Sequence, residues 1–203
     1  MNAEVARFIR FYESPRGQQI LQKEAAYLYH ALQGCDAILD VGCGIGVFEQ
    51  QLPTLNIVGV DISEAMVEEA RRRSTKTFLQ GDAMDLPFPN EAFDAVFTVT
   101  TLEFLEDDQR AVQEIGRVTR PQGRLIVMMI NPHSDYFREN VQRPGDYFQR
   151  IRHTDLAEIR EHIAHVYAIE KEEYFLRIQG DHVGETTDAA HAALYVVVAH
   201  KKP

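Results

Sequence analysis

Short apolar runs alternate with amphipathic segments through the middle of the chain. One run, residues 37–41, leads into glycine-rich sequence, and a second, residues 57–61, ends in an acid. Short apolar runs bounded by turn residues are typical of buried parallel strands, whereas a repeat near 3.6 residues indicates a helix. Pro121, Gln122 and Gly123 predict a turn. The pattern predicts strands at 37–41, 57–61, 76–80, 93–98 and 124–130, and helices at 47–52, 63–73 and 107–119.

The two ends of the chain add helices and a hairpin to this alternation. Helices are predicted at 3–12 and 17–33, broken at Ser14 and Pro15, and at 154–166, which Thr154 caps. Strands at 171–178 and 194–200 have no helix of useful length between them, so an antiparallel hairpin at the sheet edge is expected. The predicted fold is α/β: a Rossmann-like, doubly wound, seven-stranded, mostly parallel sheet with helices on both faces, an antiparallel C-terminal hairpin and two N-terminal covering helices.

A chain of 203 residues fits a single domain with one core. The predicted organisation is one domain over 1–203, with cap helices in 1–36, a ligand-binding core in 37–130, and a lid segment, helix and hairpin in 131–203. The net charge of −10 repels polyanions and disfavours a nucleic-acid partner. No signal peptide or membrane-spanning run is evident, and the two cysteines, Cys35 and Cys43, form no disulfide framework. A cytoplasmic protein is therefore expected.

The candidate ligand site begins with the glycine-rich stretch after the first strand. Gly42, Gly44 and Gly46 let the backbone turn sharply and approach a ligand closely. Val47 stands where a dinucleotide-binding fingerprint has its third glycine, which counts against NAD or FAD. Asp61, about 20 residues past the first glycine, is placed to bind ribose hydroxyls. Alone, such an aspartate could equally cap a turn or a helix.

Five stretches in order resemble the class I S-adenosylmethionine-dependent methyltransferases, especially the small-molecule group that includes the ubiquinone and menaquinone methylases (methyltransferase type 11). The resemblance covers residues 37–130. Its matching stretches are residues 38–46, 58–63, 81–88, 93–96 and 117–125. The resemblance implies a domain that binds S-adenosylmethionine, releases S-adenosylhomocysteine and methylates a small-molecule acceptor.

The resemblance also implies roles for individual residues. The methionine part of the cofactor would lie over the loop of Gly42, Cys43, Gly44 and Gly46, with its ammonium group near Asp40. Asp61 would hold the ribose hydroxyls and Asp82 the adenine amino group. The remaining implied contacts are Ile62 and Ala83 beside the adenine ring, Thr98 and Thr100 beside the sulfonium, and Tyr12 and Arg16 at the closure of the pocket.

A general base is optional for methyl transfer, because the reaction is an in-line displacement that depends mainly on alignment. Glu103 and His133 follow the fourth and fifth predicted strands and are the candidates for a base. A solvated loop acid and a surface histidine are the alternatives. No metal site is expected, because the spacing of His182 and His191 matches no familiar ligand pattern.

Contact with the acceptor is expected from two flanking pieces. These are residues 12–17 and the aromatic pairs at 136–137 and 147–148, which together could form a lid. The alternative is that the aromatic side chains only bury a loop against the core. Two other protein classes also remain open: a non-catalytic partner or regulatory protein that keeps the fold, and a nucleotide-dependent oxidoreductase. The sequence leaves the oligomeric state open between monomer and homodimer.

Overall fold

The computed structural model describes residues 2–142 and 147–203. Its helices are α1 (Ala3–Glu13), α2 (Pro15–Ala31), α3 (Val47–Gln51), α4 (Glu64–Arg73), α5 (Asp108–Val118), α6 (Asp135–Val141) and α7 (Leu156–Val166). Its strands are β1 (Ile38–Val41), β2 (Ile57–Asp61), β3 (Thr77–Gln80), β4 (Phe93–Val99), β5 (Thr119–Ile130), β6 (Tyr167–Gln179), β7 (His182–Gly184) and β8 (Ala192–Lys201). Short 3₁₀ helices lie at Leu102–Phe104 and Tyr147–Arg150.

All the strands form one sheet in the order β3-β2-β1-β4-β5-β8-β6-β7. Strands β1 to β5 pair in parallel, and β8, β6 and β7 pair antiparallel. The α/β class, the mostly parallel sheet and the antiparallel C-terminal strands are thereby confirmed. Because β1 lies in the middle of the parallel strands, the carboxyl ends of β2, β1 and β4 meet at one rim, where open α/β sheets bind ligands.

The predicted count of seven strands is wrong, since the described residues form a sheet of eight. The additional strand, β7, pairs with β6 through Gln179 and His182, across a turn at Gly180 that has φ +58°. Three residues are too few to show an alternating pattern, so this strand could not be distinguished from the hairpin loop. Strand β7 thereby lies at the edge of the sheet, where the hairpin was predicted.

Strand β5 also begins earlier than predicted. The turn expected at Pro121, Gln122 and Gly123 lies inside the strand, as an irregularity where the register against β4 shifts. Gln122 has φ +61°, so the turn-forming residues do bend the backbone here. Thr119 still pairs with Phe93 on the far side of this bend, and the strand continues through it.

Ser14 separates the two N-terminal helices. Its backbone N–H donates to the Phe11 carbonyl and ends α1, while its side chain accepts from the Gly17 N–H and caps α2. Pro15 occupies the first turn of α2, where its missing N–H is no loss. The predicted break is confirmed. Thr154 is not the cap of α7, because Asp155 accepts from the Ala157 N–H instead.

The sheet separates two hydrophobic clusters. On one face α1, α2 and α3 pack against the sheet, and on the other face α5 and α7 do so. Helices on both faces of the sheet are thus confirmed. The two N-terminal covering helices, α1 and α2, pack on one of these faces. Within the described residues, no helix combines the length and apolar character needed to cross a membrane. The prediction of a single domain over 1–203 includes residue 1 and residues 143–146, which lie outside the described residues.

Leu28 of α2 is fully buried in the same cluster as Ile38 and Phe97. We expect Leu28→Ala to lower the free energy of unfolding by about 2–5 kcal/mol, because it leaves a cavity between helix and sheet. Chemical denaturation followed by circular dichroism measures this change. Gln22→Ala, exposed on the same helix, should change it by less than about 0.5 kcal/mol. Equal losses in both variants would contradict this placement of α2.

Candidate functional site

The glycine loop after β1 is held against the end of β2. The backbone N–H groups of Gly42 and Cys43 both donate to the Val60 carbonyl, at 2.8 and 3.0 Å. Gly44 has φ +53°, and a Cβ atom there would contact only the Phe8 ring, at 3.8 Å. The loop backbone therefore faces open space, as a cradle for a ligand requires.

Asp61, at the end of β2, ties this loop in place. One carboxylate oxygen accepts from the Gly44 N–H at 2.9 Å, and the other accepts from the Ser63 N–H at 2.8 Å. Burial raises the pKa of Asp61, whereas these two hydrogen bonds favour the charged form. Each carboxylate oxygen can accept a further hydrogen bond, and the residue lines the adjoining cleft.

We call the cavity at this rim the rim cleft. It has a volume of about 750 Å³ and is lined by the glycine loop, the β2 end from Val60 to Ser63, and residues 81–84 after β3. Asp82 accepts from the Met84 N–H through one oxygen, and no described residue donates to the other. Donor and acceptor groups on three successive strand ends thus converge on one elongated space. These groups fit the ribose, the adenine and the amino-acid part of S-adenosylmethionine.

Most of the implied cofactor contacts line the rim cleft, and four do not. Those that do are Tyr12, Gly42, Cys43, Gly44, Asp61, Ile62, Asp82, Ala83 and Thr100. Thr98 is 1% exposed. The next residue of β4, Val99, lines the cleft, and successive side chains of a strand point to opposite faces, so Thr98 points away from Val99. Gly46 is the N-cap residue of α3 and lies close to the Phe78 ring. Arg16 lines a different cavity. The fourth is Asp40.

Asp40 is 1% exposed and lies below the glycine loop, beside the equally buried Glu49. No described residue forms a hydrogen bond with the Oδ2 atom of Asp40 or with either carboxylate oxygen of Glu49. Burial and the neighbouring carboxyl group of Glu49 raise the pKa of Asp40. The predicted role of Asp40 toward the cofactor ammonium stays a prediction.

A second cavity, which we call the aromatic cavity, adjoins the rim cleft. It has a volume of about 320 Å³, and the two spaces share a wall formed by Phe8, Tyr12, Val99, Thr100 and Tyr147. Thr100 has φ +48°, and its carbonyl accepts from the Tyr147 hydroxyl at 2.9 Å. An acceptor bound in this cavity would therefore lie directly beside a cofactor in the cleft.

Both predicted flanking pieces contribute to the aromatic cavity. Tyr12 and Arg16 come from the N-terminal piece; Tyr136, Tyr147 and Phe148 come from the aromatic pairs. The structure places the pair 136–137 in α6 and the pair 147–148 in a 3₁₀ turn. Residues 143–146, between them, lie outside the described residues. A lid function for this segment stays a prediction.

The candidates for a general base lie apart from both cavities. Glu103 is fully buried rather than solvated, and its Oε1 atom accepts from the Ile130 N–H at 2.9 Å. Burial raises the pKa of Glu103 to about 7. His133 is exposed and lines neither cavity. Over 2–142 and 147–203, no group of His, Cys, Asp and Glu side chains is arranged to hold a metal ion.

The sequence analysis missed Glu24, a carboxylate that lines the aromatic cavity. Glu24 lies on the buried side of α2 among Ile20, Leu21 and Leu28 and is only 4% exposed. Burial raises the pKa of its carboxyl group to about 8. A signal was available, because an acid within an apolar stripe at helical spacing departs from the amphipathic pattern.

An α/β sheet of this order, with a glycine loop and acids at the ends of β2 and β3, defines a class I methyltransferase architecture. Residues 39–127 match the family described as methyltransferase domain. The predicted resemblance to the methyltransferases that depend on S-adenosylmethionine is therefore confirmed over this part of the chain.

Similar proteins support this assignment. A crystal structure from Thermotoga maritima, described as a methyltransferase dependent on S-adenosylmethionine and a possible histamine N-methyltransferase, has a TM-score of 0.81 and 25% identity, over 98% of this chain and 96% of that one. A demethylmenaquinone methyltransferase of Symbiobacterium thermophilum is 39% identical over 116 residues, which cover 51% of this chain and 46% of the relative. A 27-O-demethylrifamycin SV methyltransferase of Amycolatopsis mediterranei is 36% identical over 106 residues, which cover 47% and 39%. The chain thus spans less than half the length of these two curated relatives.

The buried Glu24 predicts a pH-dependent loss of stability. Its pKa is about 8 in the folded state against 4.5 for an ordinary glutamate, so the unfolded chain releases the proton first as the pH rises. The contribution of the Glu24 proton to the free energy of unfolding is complete below about pH 4.5. It is lost as the pH rises to about 8, by at most about 5 kcal/mol in total. Glu24→Gln should therefore melt above the wild type at about pH 9, and both should melt alike near pH 4.

Thermal melts at both pH values measure this difference. Glu68→Gln, the same change at an exposed position of α4, is the control and should leave the melting temperature unaltered at both. A Glu24→Gln variant less stable than wild type at about pH 9 would contradict the uncompensated burial of this carboxylate.

Proposed function

We propose that this chain transfers the methyl group of S-adenosylmethionine to a small-molecule acceptor. The observation that carries the proposal is the rim cleft, in which the glycine loop, Asp61 and Asp82 lie on successive strand ends beside a separate cavity. The family match and the relatives named as small-molecule methyltransferases support the same activity.

Several residues of this chain would hold the cofactor. Asp61 is placed to accept hydrogen bonds from the ribose hydroxyls, and the free oxygen of Asp82 is placed to accept from the adenine amino group. Ile62, which is 66% exposed, offers apolar surface to the adenine ring. When bound, S-adenosylmethionine supplies a methyl group on a positively charged sulfur, which the acceptor atom displaces in line.

The shared wall determines how the acceptor can meet the methyl group. Tyr12 and Tyr147 are partly buried and contact both cavities, and the Tyr147 hydroxyl is held by the Thr100 carbonyl. In the proposed reaction these side chains lie between the two binding spaces, where they orient the reactants, and their aromatic surface excludes water. Alignment of this kind is the main protein contribution that methyl transfer needs.

The alternative of a non-catalytic partner protein would be favoured by a closed or filled acceptor pocket. The aromatic cavity instead remains open beside the cleft. The net charge of −10 and the apolar lining of the cavity favour a small molecule over a nucleic acid as acceptor.

Calorimetric titration with S-adenosylmethionine, S-adenosylhomocysteine and NADH tests the proposal. We expect the two adenosyl ligands to bind and NADH not to bind. Asp61→Ala should weaken binding of both adenosyl ligands by about 1–3 kcal/mol, because hydrogen bonds to a charged group are lost. Glu68→Ala on α4, outside both cavities, is the matched control and should leave the affinities unchanged.

Asp61→Asn separates the two tasks of this residue. An amide retains one oxygen that can accept from a loop N–H but lacks the negative charge, so the loop should persist while affinity falls. Unchanged affinity in both Asp61 variants would overturn the placement of the cofactor. No binding of either adenosyl ligand to the wild type would favour the non-catalytic partner.

A further inference from the structure

One carboxyl group that lines the aromatic cavity has no ion-pair partner among the residues that the structure describes. Glu24 is 96% buried and lines the cavity, and within 2–142 and 147–203 no group donates a hydrogen bond to its side chain. The other buried glutamates on the α4 and α5 surfaces are paired: Glu69 with Arg72 and Arg73, and Glu114 with Arg117. Glu24 thus differs from them in having its carboxyl group directed at a space that a ligand can enter.

Burial of a carboxylate without a partner is costly, because the low-dielectric interior disfavours the charge. An apolar side chain at this position would extend the stripe of Ile20, Leu21 and Leu28 on α2 and would avoid that cost. A ligand group that bears hydrogen-bond donors and a positive charge would therefore offset the cost of burying this carboxylate.

The surroundings of Glu24 favour a cation with an apolar body. The rings of Phe11, Tyr12, Tyr136, Tyr147 and Phe148 line the same cavity, and the faces of aromatic rings attract cations. An ammonium group between these rings and a carboxylate would have favourable electrostatic contacts on several sides. A carboxylate or phosphate ligand would gain no such contact and would meet a like charge at Glu24 above about pH 8, where that residue is ionised.

Two arginines also line the aromatic cavity, but neither is paired with Glu24. Arg7 lies 3.8 Å from a carboxylate oxygen of Glu4 and 5.9 Å from the centre of the Tyr147 ring. Arg16 donates to the Gly180 carbonyl at 3.4 Å. Both side chains reach solvent, which screens their charges, whereas Glu24 is shielded from it.

We propose that the methyl acceptor is an amphipathic amine, whose ammonium group binds Glu24 as an anchor while its apolar part fills the aromatic cavity. The ammonium group has no lone pair, so a second nucleophilic atom on the apolar part, placed at the shared wall, attacks the methyl carbon. The bond to this atom forms as the sulfur–carbon bond breaks, and S-adenosylhomocysteine leaves. This inference rests on the proposed function, because it assigns the acceptor class of the same site. Glu24 is then the specificity-determining residue of the acceptor pocket.

The same geometry predicts how binding depends on pH. Tyr12 of α1 interacts electrostatically with Glu24, and Arg7, Arg16, Tyr136 and Tyr147 line the same cavity. The lining residues from β4, β5, β6 and β8 are all uncharged. Because burial raises the pKa of Glu24 to about 8, an ammonium ligand displaces a proton below that pH. Amine affinity should therefore rise with pH up to about 8, and binding should release protons to the buffer.

Calorimetry of the protein saturated with S-adenosylhomocysteine tests the proposal, with phenethylamine and its neutral isostere phenethyl alcohol as probes. We expect the amine to bind the wild type about tenfold more tightly than the alcohol, since only the amine pairs with a buried charge. Glu24→Gln should remove this preference and leave alcohol binding within about twofold, and Glu68→Gln should retain it. Repeating the titration below pH 8 in two buffers of different ionisation enthalpy measures the proton release.

Each outcome decides a separate question. Equal binding of amine and alcohol by the wild type, absence of amine binding, or a preference that survives Glu24→Gln overturns the amine proposal. Failure of S-adenosylhomocysteine to bind overturns the proposed function instead, and the probe comparison is then made with the free protein. Thermal melts of Glu24→Gln establish that the variant is folded, so that loss of the preference reports on the binding site.

Discussion

The contact between the Asp61 carboxylate and the glycine loop is the constraint on which the candidate site depends. Asp61 holds Gly44 from the end of β2, while Val60 holds Gly42 and Cys43 through its carbonyl. These bonds require β1 and β2 to be adjacent, parallel and in one register, so the site inherits its geometry from the sheet. Asp61 also lines the rim cleft, so the side chain that holds the loop is the one proposed to bind the ribose.

The second feature that organises the molecule is the juxtaposition of the two cavities. Helices α1 and α2 cover one face of the sheet and bring Tyr12 and Glu24 beside the end of β4. Tyr147, which follows residues 143–146 in the sequence, lines both cavities as well. The parallel core thus forms most of the rim cleft, and segments outside residues 39–127 line much of the aromatic cavity. The aromatic residues of that cavity lie on both sides of the family match in the chain.

Buried acids are concentrated around the site and have different tasks. Asp40 and Glu49 lie below the glycine loop, Glu103 accepts from the Ile130 N–H behind the rim, and Glu24 faces the aromatic cavity. Burial raises the pKa of all four carboxyl groups. Of the four, Glu24 is the one that lines either the rim cleft or the aromatic cavity, so a ligand there could offset the cost of burying it.

The sequence by itself determined the class of fold, the position of the rim and the cofactor loop, because these follow from local signals: apolar strand runs, glycines at a turn and acids at strand ends. It did not reveal β7, which is too short for a periodic pattern, or the bend inside β5, which depends on pairing with β4. Only the tertiary structure determines that Thr98, Asp40 and His133 line neither of the two cavities, and that Glu24 lines the aromatic cavity. Those outcomes depend on which elements pack together, and a linear pattern does not encode the direction in which a side chain meets a distant helix.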